Sequence, residues 1–457
     1  MIDAGDSSHT SAPALENRWT DVFKRDMLVH VGIMGSIVVG TFQGYLKDRI
    51  GGPIPYALAE LFFVAAFIVW FGTLATRNIP IRGPGVVPAV ILAAVLIPVL
   101  YLAHPGSPMV IEIAGLRAWA EYPVACLIAM TVIKTPGQVR AYVGLILGLC
   151  VITALYGIYQ YQTGSSTLFG SSALAQLRHG NSVFYNIAGT HERSFRAFST
   201  FTFPSPFAGM MVFGTLLAAG IAVSDTWRPR SRLLVAALIP LYFMGITVSG
   251  TRAAIIMLLL GLLVLGWYRG LGLRMLGITP FLVAALYAGS LLTSGRTIAR
   301  WQSVFLEEGL LWTYMWAPVT IALRALADFP FGMGLGRSGV GVPFSIFQSY
   351  PEGFFRGSDG DIGRAAVEMG VFGIALLLLV IAVVLPYAAR SIKQLRHSAS
   401  QDVVVGIGAL VVSTGMMILI GSPLSSSPHG LIWWFLLGAL FKLSMMPKQG
   451  GFHPDQH

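Results

Sequence analysis

Long runs of apolar residues make up more than half of the chain, and charged residues are rare within them. A helix of about 20 residues crosses the hydrocarbon core of a bilayer, which is about 30 Å thick. The pattern therefore predicts an all-α polytopic membrane protein of about 12 transmembrane helices. The apolar runs lie at 28–44, 54–75, 84–103, 109–133, 139–160, 204–224, 231–248, 252–268, 274–293, 365–387, 402–422 and 429–444.

The composition agrees with this interpretation. Apolar residues make up 55% of the chain and charged residues 11%, and the mean hydropathy is +0.72. Soluble domains carry about 25% charged residues. The net charge of +10 is scattered between the apolar runs rather than gathered in a basic stripe, which argues against a nucleic-acid partner. Cys126 and Cys150 lie inside apolar runs and are predicted to be buried hydrophobic residues, not a disulfide or a metal pair.

The positions of lysine and arginine predict the sidedness of the chain. The polar tail 1–27 precedes an apolar run that begins too late for a cleaved signal peptide, so the amino terminus is expected to stay in the cytoplasm. Every inner connection then carries Lys or Arg, as insertion requires. The predicted membrane region comprises helices over 28–293 and 365–444, and the tail 445–457 is again cytoplasmic.

Two long outer segments, 161–203 and 294–364, depart from the rule of uncharged outer loops. The second is too long for a plain connection, and it is predicted to form a large structured periplasmic loop with helical stretches such as 296–327. The two segments contain no lysine, a bias that indicates a fixed oxyanion partner. The alternative is that the arginines pair with carboxylates inside folded loops. The arginines are Arg178, Arg193, Arg196, Arg296, Arg300, Arg324, Arg337, Arg356 and Arg364.

Three arginines are candidates because of where they stand relative to the apolar runs. Arg196 precedes Pro204 and Pro206, which favour the start of a helix, and an arginine beside a helix amino terminus suits a phosphate. The alternative is that the Arg196 side chain merely snorkels to the membrane–water interface and binds no ligand. Arg252 opens an uncharged apolar helix and Arg117 lies inside one, where charge is costly and indicates function. A buried pair is the alternative, for Arg117 with Glu112 or Glu121.

Two further stretches belong to the second outer segment. The run 331–339 contains a G-x-G-x-x-G string, but no strand–helix unit surrounds it, so its glycines are expected to permit close backbone approach rather than to bind a dinucleotide. In the run 358–370, Asp359 is the candidate general base because it stands on a loop, while Glu368 would lie two turns into the following helix. A metal site at Asp359 and Asp361 is a weak rival without a third ligand. His429 is either a polar helix terminus or a catalytic group.

These stretches, in this order, resemble the O-antigen ligase and polymerase family of integral-membrane enzymes. The resemblance covers about 200 to 430, and the earlier helices agree only in hydropathy. The matching elements are Arg196 to Ala208, Ser249 to Arg252, Gly295-Arg296 with Arg300-Trp301, Phe329 to Gly334, and Asp359 to Gly373.

The resemblance implies a glycosyltransferase of the bacterial inner membrane that needs no cofactor or metal and works on the periplasmic side. Its donor would be an oligosaccharide on undecaprenyl diphosphate, its acceptor a glycan, and its partners a flippase and a chain-length regulator. By the same resemblance, Arg196, Arg252, Arg296 and Arg300 would bind the diphosphate, with Asp359 as the base. The supporting residues would be Arg364, Glu368, Arg337 and Asp361, and Arg117 is a further supporting candidate because of its place inside an apolar run.

One departure bears on the type of reaction. Ligases of this family carry a histidine where this chain has Asp359, whereas the spacing of Asp359 and Arg364 matches the polymerases. The sequence thus favours a polymerase of O-antigen or exopolysaccharide repeat units over a ligase that transfers glycan to lipid A core or protein. A transporter of lipid-linked sugars and a structural scaffold are the remaining alternatives.

Overall fold

A computed structural model describes residues 12–50, 54–77, 80–104, 108–164, 183–186, 193–269, 279–306, 310–339, 342, 355, 360–395, 398, 400–419 and 421–446. Within them the protein is built from helices, and its single two-stranded sheet pairs β1 (Phe184–Asn186) with β2 (Arg193–Phe195) in antiparallel register, Phe184 opposite Phe195.

Seventeen α-helices are described, in the following order along the chain. They are α1 (Ala12–Ile50), α2 (Ile54–Arg77), α3 (Val87–Leu100), α4 (Met109–Leu116), α5 (Tyr122–Val132), α6 (Pro136–Thr163), α7 (Pro204–Ala222), α8 (Pro229–Ala236), α9 (Leu238–Ser249), α10 (Arg252–Arg269), α11 (Thr279–Leu292), α12 (Arg296–Leu306), α13 (Leu310–Asp328), α14 (Gly360–Leu379), α15 (Leu385–Leu395), α16 (Gln401–Met416) and α17 (His429–Met445). A π-helical turn, Arg117–Glu121, joins α4 to α5, and a second, Val380–Val384, joins α14 to α15.

The helices support a polytopic membrane protein. Among the described residues, seven helical stretches are long and apolar enough to cross a membrane, and the bent pair α11 and α12 would make an eighth. Four shorter apolar helices, α3, α10, α16 and α17, coincide with further predicted spans. Each apolar run of the sequence contains helix, while the number of about 12 crossings and the sidedness remain predictions.

Two helix starts differ from the boundaries expected from hydropathy. Helix α1 begins at Ala12, inside the predicted tail 1–27, because a helix continues beyond the apolar stretch that hydropathy detects, Asp26–Ile50. Helix α14 begins at Gly360, inside the predicted loop 294–364. Asp361 and Arg364 therefore lie on a helix and are fully buried, rather than on a flexible outer loop. An aspartate in the first turn is favourable there, since it faces the positive end of the helix dipole.

Close helix packing depends on glycine at several crossings. Helix α7 packs against α9 and α16, and a Cβ at Gly220 would collide with the backbone of Gly406. Helix α17 packs against α5, where a Cβ at Gly438 would meet the backbone of Cys126. Small residues at such crossings let helices approach closely in a membrane, where apolar side chains gain little by leaving lipid. Both cysteines are free and buried, as predicted.

Asp402, at the start of α16, joins three parts of the fold. Its buried carboxylate accepts hydrogen bonds from Arg140 Nε at 2.7 Å, from Arg140 Nη2 at 3.2 Å and from Trp227 Nε1 at 2.6 Å. We expect Asp402→Ala to lower the free energy of unfolding by about 1–3 kcal/mol, because the donors lose their acceptor while the half-exposed Arg140 can still be hydrated. Unfolding in mixed micelles measures the change.

The matched control for that variant is Asp225→Ala. Asp225 lies 3.9 Å from Arg232 and its side chain is 48% exposed, so the loss is expected to stay below about 1 kcal/mol. Equal losses in the two variants would contradict the role assigned to Asp402.

Candidate functional site

The turn between α9 and α10, Ser249–Arg252, is a meeting point for arginines. Gly250 closes α9 with a left-handed backbone (φ 59°), which glycine adopts without strain, and Arg252 opens α10. Arg196 donates from Nε to the carbonyl of Ser249 and from Nη2 to Thr251 Oγ1, both at 2.9 Å. The adjacent amide of Ala197 donates to the carbonyl of Val248 at 2.9 Å, so the segment after β2 is fixed along the end of α9.

Arg252 and Arg300 each donate a hydrogen bond to a backbone carbonyl at this turn. Arg252 Nε donates to the carbonyl of Arg300 at 3.2 Å, and Arg300 Nε donates to the carbonyl of Gly250 at 3.0 Å. Arg300 reaches the turn because α11 and α12 meet at 116°, with positive φ at Ser294 and Gly295. The buried indole of Trp301 packs edge-on against Phe243 of α9, with ring centroids 5.9 Å apart, and holds α12 in place.

Three of the four arginines expected to bind the diphosphate are thus gathered at one turn. We call Arg196, Arg252, Arg300 and the turn 249–252 the arginine turn. Arg296 is exposed and lies about one helical turn before Arg300 on α12. Guanidinium groups stay protonated in proteins, so the arginine turn carries permanent positive charge held by backbone carbonyls, an arrangement that suits a phosphate or diphosphate.

A second group of candidates lies on α14 and is completely buried. Arg364 Nε is 3.0 Å from Glu368 Oε1, and both side chains are 0% exposed. Glu368 also accepts from Trp119 Nε1 at 2.7 Å through Oε2, and from the hydroxyl of Ser338 through Oε1. The guanidinium of Arg364 stacks over the Trp119 ring, 5.1 Å from its centroid, and donates from Nη1 to the carbonyl of Ser425 at 3.3 Å. We call these five residues the buried cluster.

The start of α14 is tied to the connection before α17. Asp361 accepts a hydrogen bond from the amide of Leu424 at 3.0 Å and from the hydroxyl of Ser425 at 2.6 Å. A few residues later, His429 begins α17 as a buried helix terminus, and its ring packs against Phe213 with centroids 5.3 Å apart. The connection 421–429 therefore reaches from the buried cluster to α7.

The glycine-rich segment, 329–339, approaches neighbouring backbones as closely as the sequence predicts. A Cβ at Gly332 would meet the carbonyl of Glu368, and one at Gly336 would meet the carbonyl of Ile111. At Gly370 (φ 59°, ψ −139°) helix α14 is broken, and the segment fills the break. The hydrogen bonds across the break are Met333 N to Val367 O at 2.7 Å, Gly334 N to Glu368 O at 3.2 Å and Val371 N to Pro330 O at 2.9 Å.

Arg117 is the remaining supporting candidate, and one of its partners is a carboxylate that was not considered from the sequence. Its Nη1 lies 2.5 Å from Oε1 of Glu60 on α2. The π-helical turn changes the angle between successive side chains, so sequence spacing did not predict the direction of Arg117. The pair joins Arg117 to a carboxylate, as the alternative for Arg117 supposed, but both side chains are partly exposed, at 19% and 18%.

Asp359, the candidate base, lies outside the described residues, as do Arg178 and Arg356. Arg337 precedes Ser338 of the buried cluster and is partly buried. Among the described residues, no group of three or more His, Cys, Asp or Glu is placed to hold a metal ion.

Sequence reasoning missed Glu60, Trp119, Ser338 and Ser425. Glu60 could have been found, because a carboxylate inside an apolar run is costly and so indicates a partner. The other three carry no such signal, since a tryptophan or serine is unremarkable in a membrane helix or loop.

The chain matches no protein-family model and no curated protein.

Proposed function

We propose that the chain is a membrane-embedded glycosyltransferase that polymerises oligosaccharide repeat units carried on undecaprenyl diphosphate. The observation that carries the proposal is the arginine turn, where side chains from three separated parts of the chain meet at one helix junction. A diphosphate leaving group needs permanent positive charge, and arginine supplies it without a metal.

The reaction follows from these roles. The acceptor hydroxyl attacks the anomeric carbon of the donor glycan while Asp359 takes its proton, and the bond from that carbon to the diphosphate oxygen breaks. Both bonding electrons leave with the lipid diphosphate, whose growing charge Arg196, Arg252 and Arg300 stabilise. Displacement in one step inverts the anomeric configuration. The role of Asp359 rests on the sequence resemblance alone.

Glycan analysis in a deletion host tests the proposal at matched membrane abundance of each variant. Arg252→Ala is expected to lower the rate of polymer formation by about 10²–10³-fold. Losses of this size follow when an enzyme loses one hydrogen-bond donor that stabilises charge in the transition state. Asp359→Ala is expected to lower the rate by about 10²–10⁴-fold, and single lipid-linked repeats should accumulate in both. Arg324→Ala is the matched control, because Arg324 is exposed on α13 and is not part of the arginine turn.

Each other outcome points elsewhere. Normal polymer in both variants would show that the proposed site is wrong, and an unchanged glycan in the deletion host would overturn the activity. Full-length polymer that remains lipid-linked would indicate a ligase instead.

A transporter of lipid-linked sugars is the second candidate, because transporters use broken membrane helices and because charged residues within membrane segments mark substrate and ion pathways. Helix α14 is broken at Gly370, roughly 15 Å along its axis from Gly360, and Arg117 pairs with Glu60 between two helices. In a host without a working transporter, lipid-linked repeats would stay on the inner face. Repeats on the inner face would resist a glycosidase added to spheroplasts. Repeats that accumulate on the outer face because the polymerase is missing would be digested.

A further inference from the structure

Helix α13, Leu310–Asp328, has a buried face that packs on α14. Pro318, Ala322 and Ala325 are buried, and their spacing of i, i+4 and i+7 places them on one side of the helix. Ala322 and Ala325 pack with Ala366 and Val367 of α14. Small residues on both sides of this contact bring the two helices close together.

The exposed surface of α13 is divided into an apolar and a polar stripe. Trp312 is 63% exposed, Trp316 45% and Leu323 61%. At about 100° per residue these three share one line, roughly 140° round the helix axis from the buried face. The exposed charged side chains Arg324 and Asp328 lie roughly 120° further round. The exposed Thr320, whose hydroxyl donates to the carbonyl of Trp316, lies between the two stripes. A helix with separate packing, apolar and polar faces is suited to a boundary between protein, lipid and water.

The apolar stripe leads towards the lipid-facing surface of a membrane helix. Directly after α13 the chain reaches Phe331, which is 63% exposed and stacks on Phe372 with ring centroids 6.2 Å apart. Phe372 and Val371 are about half exposed on α14, which belongs to a candidate membrane span, Gly360–Leu395. Exposed apolar side chains on such a span face hydrocarbon. Exposed apolar residues thus lie on α14 as well as on α13, on either side of the contact between the two helices.

We propose that α13 is an interfacial membrane helix whose Trp312, Trp316 and Leu323 stripe contacts the acyl chains of the outer leaflet. The ring centroids of Trp312 and Trp316 are 5.1 Å apart, and tryptophan prefers the boundary between hydrocarbon and headgroups, where its ring is apolar and its N–H is hydrated. Arg324 and Asp328 then face water and headgroups. Part of the second outer segment would then lie on the membrane surface, and the segment would not be an entirely aqueous loop. This inference does not depend on glycosyl transfer.

Spin-label accessibility in lipid nanodiscs tests the position of α13. Single cysteines replace Trp316, Leu323 or Arg324 in a Cys126→Ala, Cys150→Ala background, and each carries a nitroxide. Molecular oxygen concentrates in lipid and a neutral nickel chelate in water, so the ratio of their relaxation effects reports the environment. We expect oxygen to dominate at 316 and 323 and the nickel chelate at 324, the ratio differing several-fold between the neighbours 323 and 324.

Two results would overturn the proposal. Nickel dominance at 323 as well as 324 would place the whole helix in water. Shielding of 316 and 323 from both reagents would mean that a protein partner or a second copy of the chain covers the stripe. If Trp316→Cys fails to fold, the pair at 323 and 324 decides alone, because both side chains are exposed and their loss disturbs little packing.

Discussion

Replacing Glu368 by alanine is expected to lower the free energy of unfolding by about 3–5 kcal/mol, enough to deplete folded protein from membranes. The reason is that Arg364, at 0% exposure, would lose the carboxylate that lies 3.0 Å from its Nε. Trp119 Nε1 and the hydroxyl of Ser338 would lose their acceptor in the same change. Unfolding in mixed micelles, with yield of monodisperse protein as a second measure, gives the size of the loss.

Two further variants separate the ion pair from the hydrogen bonds. Glu368→Gln keeps one acceptor oxygen but removes the charge, so its loss should be smaller than that of Glu368→Ala. The double variant Arg364→Met with Glu368→Leu removes both charges and is expected to be more stable than Glu368→Ala alone. A loss below about 1 kcal/mol in Glu368→Ala would contradict the central position assigned to this carboxylate.

The local features of this fold could be read from the sequence, because they depend on neighbouring residues. Apolar runs predict the helices, and Pro204 and Pro206 mark the start of α7, whose first residue is Pro204. The helical stretches expected within 296–327 are present as α12 and α13. The glycines at 332 and 336 do permit close backbone approach.

The pairing of charged groups could not be read from the sequence, because partners come from distant segments. Arg117 lies beside Glu112 and Glu121 in sequence but forms its described ion pair with Glu60 on another helix. Glu368 does lie about two turns into α14, as predicted, but its spacing gave no sign that its partners include Trp119, which precedes it by 249 positions. That Arg196, Arg252 and Arg300 lie together was a prediction only through the family resemblance, since nothing in their spacing requires it.

The break in α14 combines a local and a distant requirement. The positive φ of Gly370 is a property of the residue itself, but the break is tolerable only because amides of the glycine-rich segment reach the exposed carbonyls. Tyr101 completes the arrangement, because its hydroxyl is placed to donate to the carbonyl of Met369 at 2.8 Å or to that of Phe331 at 3.1 Å. In lipid, each backbone group left without a partner would cost several kcal/mol, so the segment and the break depend on each other.

Gly370→Ala should therefore be among the most damaging small substitutions in the protein. A non-glycine residue at this φ and ψ costs about 1–3 kcal/mol, and forcing a methyl group into a packed contact adds about 1–3 kcal/mol. The added Cβ would meet the carbonyl of Pro330 and lie 2.5 Å from the amide nitrogen of Gly332 and 2.6 Å from the carbonyl carbon of Phe331. We expect the glycine-rich segment to be displaced, which would expose it to limited proteolysis.

Gly148→Ala is the matched control for that experiment. Gly148 lies inside α6, is exposed, and an added Cβ would have no atom within 4 Å. Alanine there should stabilise the helix by up to about 1 kcal/mol, because glycine is the poorer helix former. Protease cleavage in the glycine-rich segment should thus rise in Gly370→Ala and stay at the wild-type rate in Gly148→Ala. Equal cleavage in both variants would mean that the segment is not held by the break in α14.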